Sequence, residues 1–259
     1  MRGLIVAAGQ GTRLREIAPS KPLAIVRGVP LIEHVIGSAR AGGIDEFVVV
    51  TGYEGDRLER FLSDLSARAG VTIDTVRNPE WRRANGLSVL AAEPLLGERF
   101  VLMMADHLFD PEWLRDLLAH PLRPQSVVLA VDRRLDNPLV DLDDVTRVET
   151  DGQGRIRAIG KLISPYDAFD TGIFLASKSL MGAIGEDLAR GGSGGISGGM
   201  TRLAAKDLAE TFDIGERFWL DVDDAVAHSH AERLSEFRQA SAASSRSEAA
   251  VACSWKTSV

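Results

Sequence analysis

The sequence has only one cysteine, no excess of positive charge and no long apolar run, and each of these absences excludes a class of protein. A single cysteine, Cys253, excludes an internal disulfide and a cysteine-based zinc site, which fits a reducing compartment. The net charge of −7 argues against general binding to nucleic acid, for which a basic surface is expected. No apolar run reaches the length of a membrane span. We therefore expect a cytoplasmic protein without direct membrane insertion.

What the sequence does have is an alternation of short apolar runs and amphipathic segments. The runs are rich in Val, Ile, Leu and Met and predict strands, whereas the segments between them show helical spacing. This alternation indicates βαβ units, and so an α/β fold with a Rossmann-like, mostly parallel sheet that binds ligands beyond the carboxyl ends of its strands. The predicted strands are residues 4–8, 46–51, 71–76, 100–105, 126–131 and 169–175, and the predicted helices are residues 30–41, 54–69, 87–96, 200–209 and 223–238.

The pattern changes after about residue 133. Residues 133–161 contain short strand-like stretches around a "DGQG" turn and predict a smaller antiparallel lobe. The stretch "GGSGGISGG", residues 191–199, predicts an irregular, mobile lid. Residues 239–259 are rich in Ser and Ala and have the composition of a disordered tail, so the folded domain is expected to span residues 1–238.

The first predicted strand leads into "AAGQGTRL", residues 7–14. Gly9 and Gly11 leave backbone amides open to phosphate oxygens, while Arg13 and Lys21 supply positive charge, which is suited to a nucleoside triphosphate. The stretch lacks the third glycine of a dinucleotide fingerprint, where it has Leu14, and it also lacks the Gly-Lys-Ser/Thr of a P-loop. The alternative is an ordinary β-to-α turn with solvated charges.

Aspartates follow two further apolar stretches. Asp106 follows the predicted strand 100–105, and Asp221 and Asp223 follow a stretch that begins at Phe218. Magnesium favours a few carboxylates together with substrate and water oxygens, so one carboxylate from each place suits a Mg²⁺ site. The alternative is that Asp221 or Asp223 caps the final helix, which does not conflict with metal binding.

Together these motifs resemble the nucleotidyltransferase superfamily. "AAGQGTRL" followed by "PSKPL" is similar to the glycine-rich loop and lysine of sugar-phosphate nucleotidyltransferases and cytidylyltransferases. The stretches "NPEWRRANGLSVLAA", "IGKLISPYDAFDTGIF" and "FWLDVDD" resemble inositol-1-phosphate cytidylyltransferases, and less closely the phosphocholine and phosphonate enzymes. The resemblance spans about residues 3–237. Sugar-nucleotide enzymes usually carry Gly-Thr after the metal aspartate, where this sequence has Val222-Asp223, which favours the cytidylyltransferases. The sequence also departs from the family at the first glycine of the loop, where it has Ala8.

The resemblance implies a GT-A-like fold and a Mg²⁺-dependent enzyme that joins CTP to a phosphorylated alcohol, chiefly inositol 1-phosphate, and releases pyrophosphate. It also allows a homodimer. The implied metal ligands are Asp106 and Asp221, with Asp223 as an outer candidate. The implied catalytic cations are Arg13, Lys21 and Lys161. The implied nucleotide-binding residues are Ala8, Gly9, Gly11, Thr12, Asn78, Asn85, Gly86 and Ser88. The implied acceptor-binding residues are Asp106, Lys161, Asp170 and Thr171.

The composition of the acceptor stretch favours a polyol phosphate over phosphocholine. A quaternary ammonium is usually held by aromatic faces, but aromatic residues make up only 6% of the chain, and only Tyr166 and Phe169 flank this stretch. The stretch instead offers Lys161 for a phosphate and, for hydroxyl groups, the side chains of Ser164, Asp167 and Asp170.

Three other functions stay open on the sequence alone. They are a sugar-1-phosphate nucleotidyltransferase, a glycosyltransferase that uses Asp221-Val222-Asp223 as a D-x-D metal motif, and a nucleotide sensor without turnover. Several residues have simpler interpretations. His107 is as consistent with a structural role as with substrate contact, and we expect His228 and His230 to be solvated. We expect Asp143 and Asp144 to form a solvated acidic edge. The aromatic residues Trp81, Trp113 and Trp219 are expected to be packing residues.

Overall fold

A computed structural model describes residues 1–234 of the chain, and a nine-stranded sheet runs through them beside two small two-stranded sheets. In chain order the strands are β1 (Arg2–Val6), β2 (Ile25–Val26), β3 (Val29–Pro30), β4 (Glu46–Thr51), β5 (Thr72–Arg77), β6 (Arg99–Met104), β7 (His107–Phe109), β8 (Val127–Asp132), β9 (Arg147–Thr150), β10 (Ile156–Gly160), β11 (Ala168–Ser177), β12 (Ala209–Asp213) and β13 (Trp219–Asp221). The helices are α1 (Leu31–Ala41), α2 (Gly55–Ala69), α3 (Gly86–Ala91), α4 (Pro111–Ala119), α5 (Ser179–Ala189), α6 (Ile196–Ala204) and α7 (Ala225–Arg233).

Strands β5, β4, β1 and β6 form the parallel part of the sheet, in that order. Their connections contain α1, α2 and α3, because parallel neighbours cannot be joined by a tight hairpin. The inner strands β1, β4 and β6 are buried along most of their length, which explains why they read as continuous apolar runs. The predicted α/β fold is confirmed, and the carboxyl ends of β1 and β6 lead into the glycine-rich loop and Asp106.

Strand β11 joins these parallel strands to the rest of the sheet, which is antiparallel except for β12, which runs parallel to β8. It runs antiparallel to β6, β8 and β9, and β10 pairs with β9. The predicted smaller lobe therefore continues the central sheet through β11. The two separate sheets, β2 with β3 and β7 with β13, are also antiparallel.

Each face of the sheet carries its own apolar cluster, because successive side chains of a strand point to opposite faces. Leu4 and Val48 belong to the cluster packed against α3, α5 and α6, whereas Ile5 and Val49 belong to the cluster packed against α1, α2 and α4. This layering accounts for the amphipathic helices. The predicted packing role of the three tryptophans is confirmed: Trp113 and Trp219 are buried, and the partly buried Trp81 packs against the first cluster.

The prediction of an irregular segment at residues 191–199 is wrong for its second half. Helix α6 begins at Ile196 and includes Gly198 and Gly199. A Cβ on Gly199 would lie 2.7 Å from Cγ1 of Ile184 in α5, so the absence of a side chain lets the two helices approach. Close helix packing therefore outweighs the low helix propensity of glycine here.

The predicted helix bounds agree closely for α1 and α2. The predicted helix 87–96 instead ends at Ala91 and is followed by a 3-10 turn, Glu93–Leu95, because Pro94 has no N–H to continue the helical bonds. Helix α7 begins at Ala225, later than predicted, and α4 and α5 were not predicted.

No helix within residues 1–234 is long and apolar enough to cross a membrane. The predicted domain boundary at residue 238, the predicted tail at residues 239–259 and Cys253 lie outside the described residues.

Candidate active site

The glycine-rich loop brings Lys21 against the end of β1. Gly11 has a φ of 59°, a conformation that side chains disfavour, and a Cβ there would overlap the aliphatic part of Lys21. The chain then turns through a 3-10 helix, Thr12–Leu14, in which Leu14 is fully buried and anchors the loop. Glycine at position 11 thus allows the lysine to lie directly across the loop. Gly9 and Gly11 line a recess of about 190 Å³ together with Lys21 and Asp106.

Three carboxylates surround the ammonium of Lys21. Its Nζ forms ion pairs with Asp106 and, at 2.6 Å, with Oδ1 of Asp223, and it lies 3.9 Å from Oδ1 of Asp221. The pairing of β7 with β13 explains this convergence, because it places His107 opposite Asp221, and the Val222 amide donates to the Asp106 carbonyl at 2.9 Å. The two aspartate motifs of the sequence therefore meet.

The charges of this cluster are strongly coupled. Burial acts to raise the pKa of Asp106, but the charges of Lys21 and His107 lower it well below its usual range. Burial likewise opposes protonation of His107, but Asp221 and Asp106 raise its pKa to about 9. Burial raises the pKa of Asp221. Charged His107 donates from Nδ1 to Oδ1 of Asp106 at 2.7 Å, and its ring stacks on Trp219 with 6.3 Å between centroids.

The donor set fits a hard divalent cation. Oδ1 of Asp221 is buried and accepts no hydrogen bond, so this acceptor is available to a ligand. Ligand atoms of Asp106, His107 and Asp221 lie within 4.8 Å of one another, as do those of Asp144, Asp221 and Asp223. Carboxylate oxygens grouped in this way match the ligand preference of magnesium.

Asp144 lies between two of the predicted phosphate-binding cations. Nη2 of Arg13 lies 2.6 Å from one Asp144 oxygen, and Nζ of Lys161 forms an ion pair with the other. Arg13 also forms an ion pair with Asp223. Burial opposes ionisation of Asp144, but its bond to Lys161 and the charge of Arg13 lower its pKa. The prediction of a solvated acidic edge is therefore wrong for Asp144, which faces the cleft because the chain between β8 and β9 folds back over the glycine-rich loop.

A larger cavity, of about 550 Å³, opens beside these residues. Asp170 lines it, and burial raises the pKa of this carboxyl group to about 6, although its Oδ1 accepts a bond from the Gly172 amide at 2.7 Å. Its lining combines polar and apolar residues. Polar residues lining the cavity include Arg13, Asn85, His107, Asp144, Thr146, Lys161, Asp170, Ser197, Asp221, Asp223 and His230.

The family model for the MobA-like NTP transferase domain matches residues 3–162. The chain belongs to this family. A protein of Rubrobacter xylanophilus named bifunctional IPC transferase and DIPP synthase is 40% identical over 85% of this chain and 48% of its own length. One of the same name from Archaeoglobus fulgidus is 29% identical over 70% of this chain and 34% of its own length. The chain thus spans about half the length, or less, of these curated relatives.

Solved structures give the same fold. The inositol-1-phosphate CTP transferase of T. maritima matches with a TM-score of 0.79 and 27% identity, over 92% of this chain and 96% of that one. A UDP-glucose pyrophosphorylase complexed with UDP-glucose matches with a TM-score of 0.71 and 20% identity, over 89% of this chain and 96% of that one, which supports the fold alone. The match to an NTP transferase family favours nucleotidyl transfer over the glycosyltransferase interpretation of Asp221-Val222-Asp223.

Several predicted contacts of this NTP transferase site are not available in the structure. Thr171 is fully buried and its hydroxyl donates to the Ala130 carbonyl at 2.8 Å, so it does not face the acceptor cavity. Asn78 and Ser88 are also buried and hydrogen-bond to each other at 3.0 Å. Asp167 binds Arg133 at 3.0 Å, away from the cavity.

Other predicted residues hold the segments around the site in place. The Ala8 carbonyl accepts from the Tyr53 amide at 3.0 Å, which joins the loop to the end of β4. Gly86 is buried against the carbonyl of Gly194 in the glycine-rich segment. Asn85 accepts from the Ile196 amide at 3.1 Å and still lines the larger cavity. Thr12 is exposed on the loop.

The helix-capping alternative for Asp221 and Asp223 is wrong. Asp224 caps α7 by accepting from the Ala227 amide at 2.8 Å, which leaves the two preceding aspartates for the cleft. His107 has a larger role in the site than its sequence pattern suggests, and its position next to Asp106 at a strand end is the signal that marks it. His228 is not simply solvated either, because its Nε2 lies 2.7 Å from the Ile25 carbonyl.

Proposed function

We propose that the protein is a Mg²⁺-dependent cytidylyltransferase that converts CTP and inositol 1-phosphate to CDP-inositol and pyrophosphate. One observation carries the proposal: the glycine-rich loop and the cluster of Lys21, Asp106, Asp221 and Asp223 adjoin a cavity whose lining includes Lys161 and Asp170. The site thus offers a place for a triphosphate next to one for a second phosphate. The name of the T. maritima relative, inositol-1-phosphate CTP transferase, supports the choice of CTP and inositol 1-phosphate.

The reaction needs no activated nucleophile from the protein. A phosphate oxygen of the acceptor attacks the α-phosphorus of CTP, and the bond from that phosphorus to the oxygen bridging to the β-phosphate breaks, which releases pyrophosphate. A phosphate monoester dianion is a competent nucleophile, so positioning and charge neutralisation supply the catalysis. Arg13 and Lys21 hold the triphosphate, and Lys161 holds the acceptor phosphate.

These cations must exchange partners when substrates bind. Lys21 and Arg13 now bind aspartates, and Lys161 binds Asp144. Phosphate oxygens are equally good acceptors for ammonium and guanidinium groups, so each cation has a replacement partner within the substrates. Asp106 and Asp221 would hold Mg²⁺, with Asp223 adjacent. When bound, Mg²⁺ supplies charge neutralisation of the phosphate oxygens.

The cavity supports a polyol acceptor. Phe169 is fully buried, and Tyr166 lies under the guanidinium of Arg147, with 4.9 Å from that group to the ring centroid. Neither of these rings lines the cavity; Phe174 and Trp219 do, but both are almost fully buried and present no open aromatic cage for a quaternary ammonium. Asp170 and Ser197 line the cavity and suit hydroxyl groups. A site built to bind hydroxyls rejects acceptors that lack them, because its polar groups would stay unpaired.

A pyrophosphate-release screen tests the proposal. Four nucleoside triphosphates are combined with inositol 1-phosphate, glucose 1-phosphate, phosphocholine and aminoethylphosphonate. We expect the highest kcat/KM with CTP and inositol 1-phosphate. A higher value with UTP, dTTP or GTP and a sugar 1-phosphate would replace the proposal with a sugar-1-phosphate nucleotidyltransferase. Binding of CTP without pyrophosphate release for any acceptor would indicate a nucleotide sensor.

A further inference from the structure

Asp132 is a fully buried carboxylate outside the cavity, at the end of β8. Its Oδ1 accepts from the amide and Nε of Arg134, each at 2.9 Å. Its Oδ2 accepts from Nη2 of Arg134 at 2.9 Å, from Nδ2 of Asn137 at 2.8 Å and from Nε1 of Trp219 at 2.8 Å. The proposed reaction uses none of these groups directly. A buried carboxylate with this many donors nevertheless fixes the position of every segment that supplies one.

The first of these segments is β13. Trp219 opens β13, and Asp221 closes it two residues later. Arg134 also donates to the carbonyls of Glu216 at 3.1 Å and Arg217 at 3.0 Å, so the approach to β13 is held as well. The bonds from Asp132 and Arg134 therefore determine where β13 presents Asp221 to the cluster around Lys21.

The second segment is the wall of the larger cavity. Asn137 binds Asp132 through its amide nitrogen and accepts from the Leu139 amide at 3.0 Å through its oxygen. The residues that follow, 138–141, line the cavity and lead to Asp144. The same carboxylate thus holds β13 on one side and the start of the cavity wall on the other.

We propose that Asp132 is a positioning residue that sets the spacing between Asp221 and the cavity wall that carries Asp144. A buried polar group that loses its hydrogen-bond partner destabilises the folded protein. Separating Asp132 from any of its donors would leave such groups unpaired, so the native arrangement is favoured. The two segments are therefore held in one geometry, in which ligand atoms of Asp144 and Asp221 lie within 4.8 Å. The inference rests on the proposed function in taking Asp221 as a metal ligand.

The test compares three variants with a matched control. Asp132→Asn removes the charge, Trp219→Phe removes the bond to β13 while keeping an aromatic ring beside His107, and Asn137→Ala removes the bond to the cavity wall. Asp187→Asn is the control, because Asp187 is also buried and binds an arginine, Nη2 of Arg202 at 3.0 Å. The measurements are Mn²⁺ binding by electron paramagnetic resonance, the KM values for CTP and acceptor, and the thermal midpoint.

We expect Asp132→Asn and Trp219→Phe to weaken Mn²⁺ binding by about tenfold, as for other groups that orient metal ligands. Asn137→Ala should raise the KM for the acceptor while leaving Mn²⁺ binding close to the wild-type value. Asp187→Asn should lower the thermal midpoint and leave Mn²⁺ binding unchanged. Wild-type Mn²⁺ binding in folded Trp219→Phe would overturn the proposal, even if Asp132→Asn does not fold. Failure of the proposed function would appear separately, as wild-type protein that binds Mn²⁺ but releases no pyrophosphate.

Discussion

The ammonium of Lys21 lies 2.6 Å from Oδ1 of Asp223, although 202 residues separate the two along the chain. The lysine is mostly buried, with 11% of its side chain exposed, and it neutralises part of a cluster of three aspartates. The same ammonium is our candidate ligand for the triphosphate. Lys21 therefore couples the stability of the carboxylate cluster to the binding of nucleotide and metal.

Replacing Lys21 by methionine should destabilise the metal-free protein and sensitise it to Mg²⁺. The aspartates then repel one another with only His107 and Arg13 left as nearby compensating charges, and we expect a loss of about 1–3 kcal/mol in the free energy of unfolding. Thermal unfolding in EDTA and in excess MgCl₂ measures this, and Mg²⁺ should restore more stability to the variant than it adds to the wild type. An equal gain in both proteins would contradict the role of Lys21 as the internal countercharge.

Asp106→Asn and Asp221→Asn should each abolish most turnover with the fold intact. Loss of an anionic ligand weakens a hard cation, and we expect kcat/KM to fall by at least about 10²-fold, by analogy with the loss of other groups that stabilise transition-state charge. Asp64→Asn, on the exposed side of α2, is the control. Near-normal rates for either variant at low Mg²⁺ would show that the residue is not a metal ligand.

Lys161→Ala should raise the KM for the acceptor more than the KM for CTP. Lys161 lines the larger cavity, as Arg13 also does, whereas Lys21 lines the smaller recess beside the glycine-rich loop. Lys206→Ala is a closely matched control, because Lys206 binds Glu186 and has 52% of its side chain exposed, against 54% for Lys161. If Lys161→Ala altered only the KM for CTP, the acceptor assignment would be wrong.

Asp144→Asn should lower the KM for the acceptor, because the carboxylate competes with the incoming phosphate for Lys161 and Arg13. A partly exposed ion pair is worth about 0.2–1 kcal/mol, so the effect should reach about fivefold at most. Asp143→Asn, at the exposed neighbouring position, should change nothing. A rise in KM for Asp144→Asn would instead show that Asp144 holds the two cations in place for the substrate or contributes to the metal site.

Asp132 should make stability depend on pH in the acid range. Burial opposes its ionisation, but bonds from Arg134, Trp219 and Asn137 lower its pKa in the folded protein. Its contribution is therefore present above the unfolded pKa of about 3.9 and is lost as the pH falls through the folded pKa. Urea unfolding should give Asp132→Asn a deficit of about 3 kcal/mol at pH 7 that narrows below pH 4. A deficit that does not change with pH would contradict this origin.

The local sequence determined the βαβ alternation, the glycine-rich loop and the ends of strands where Asp106 and Asp221 lie. These features depend on side-chain periodicity and backbone freedom, which act over a few residues. Tertiary structure decided the rest. It buried Thr171, Asn78 and Ser88, which the motif resemblance had assigned to substrates, because each found a hydrogen-bond partner inside the fold.

Only the folded chain brings Asp144 to Arg13, 131 residues away, and Asp132 to Trp219, 87 residues away. No local pattern marks these pairs, since a carboxylate in a polar stretch reads as solvated until the chain folds over it. The sequence thus determined which chemical groups were available for phosphate and metal. Tertiary packing decided which of those groups share a site. Strand β7 packs against β13, and the segment after β8 packs over the glycine-rich loop. Charged groups that are partly buried need partners, and here they find them across the fold.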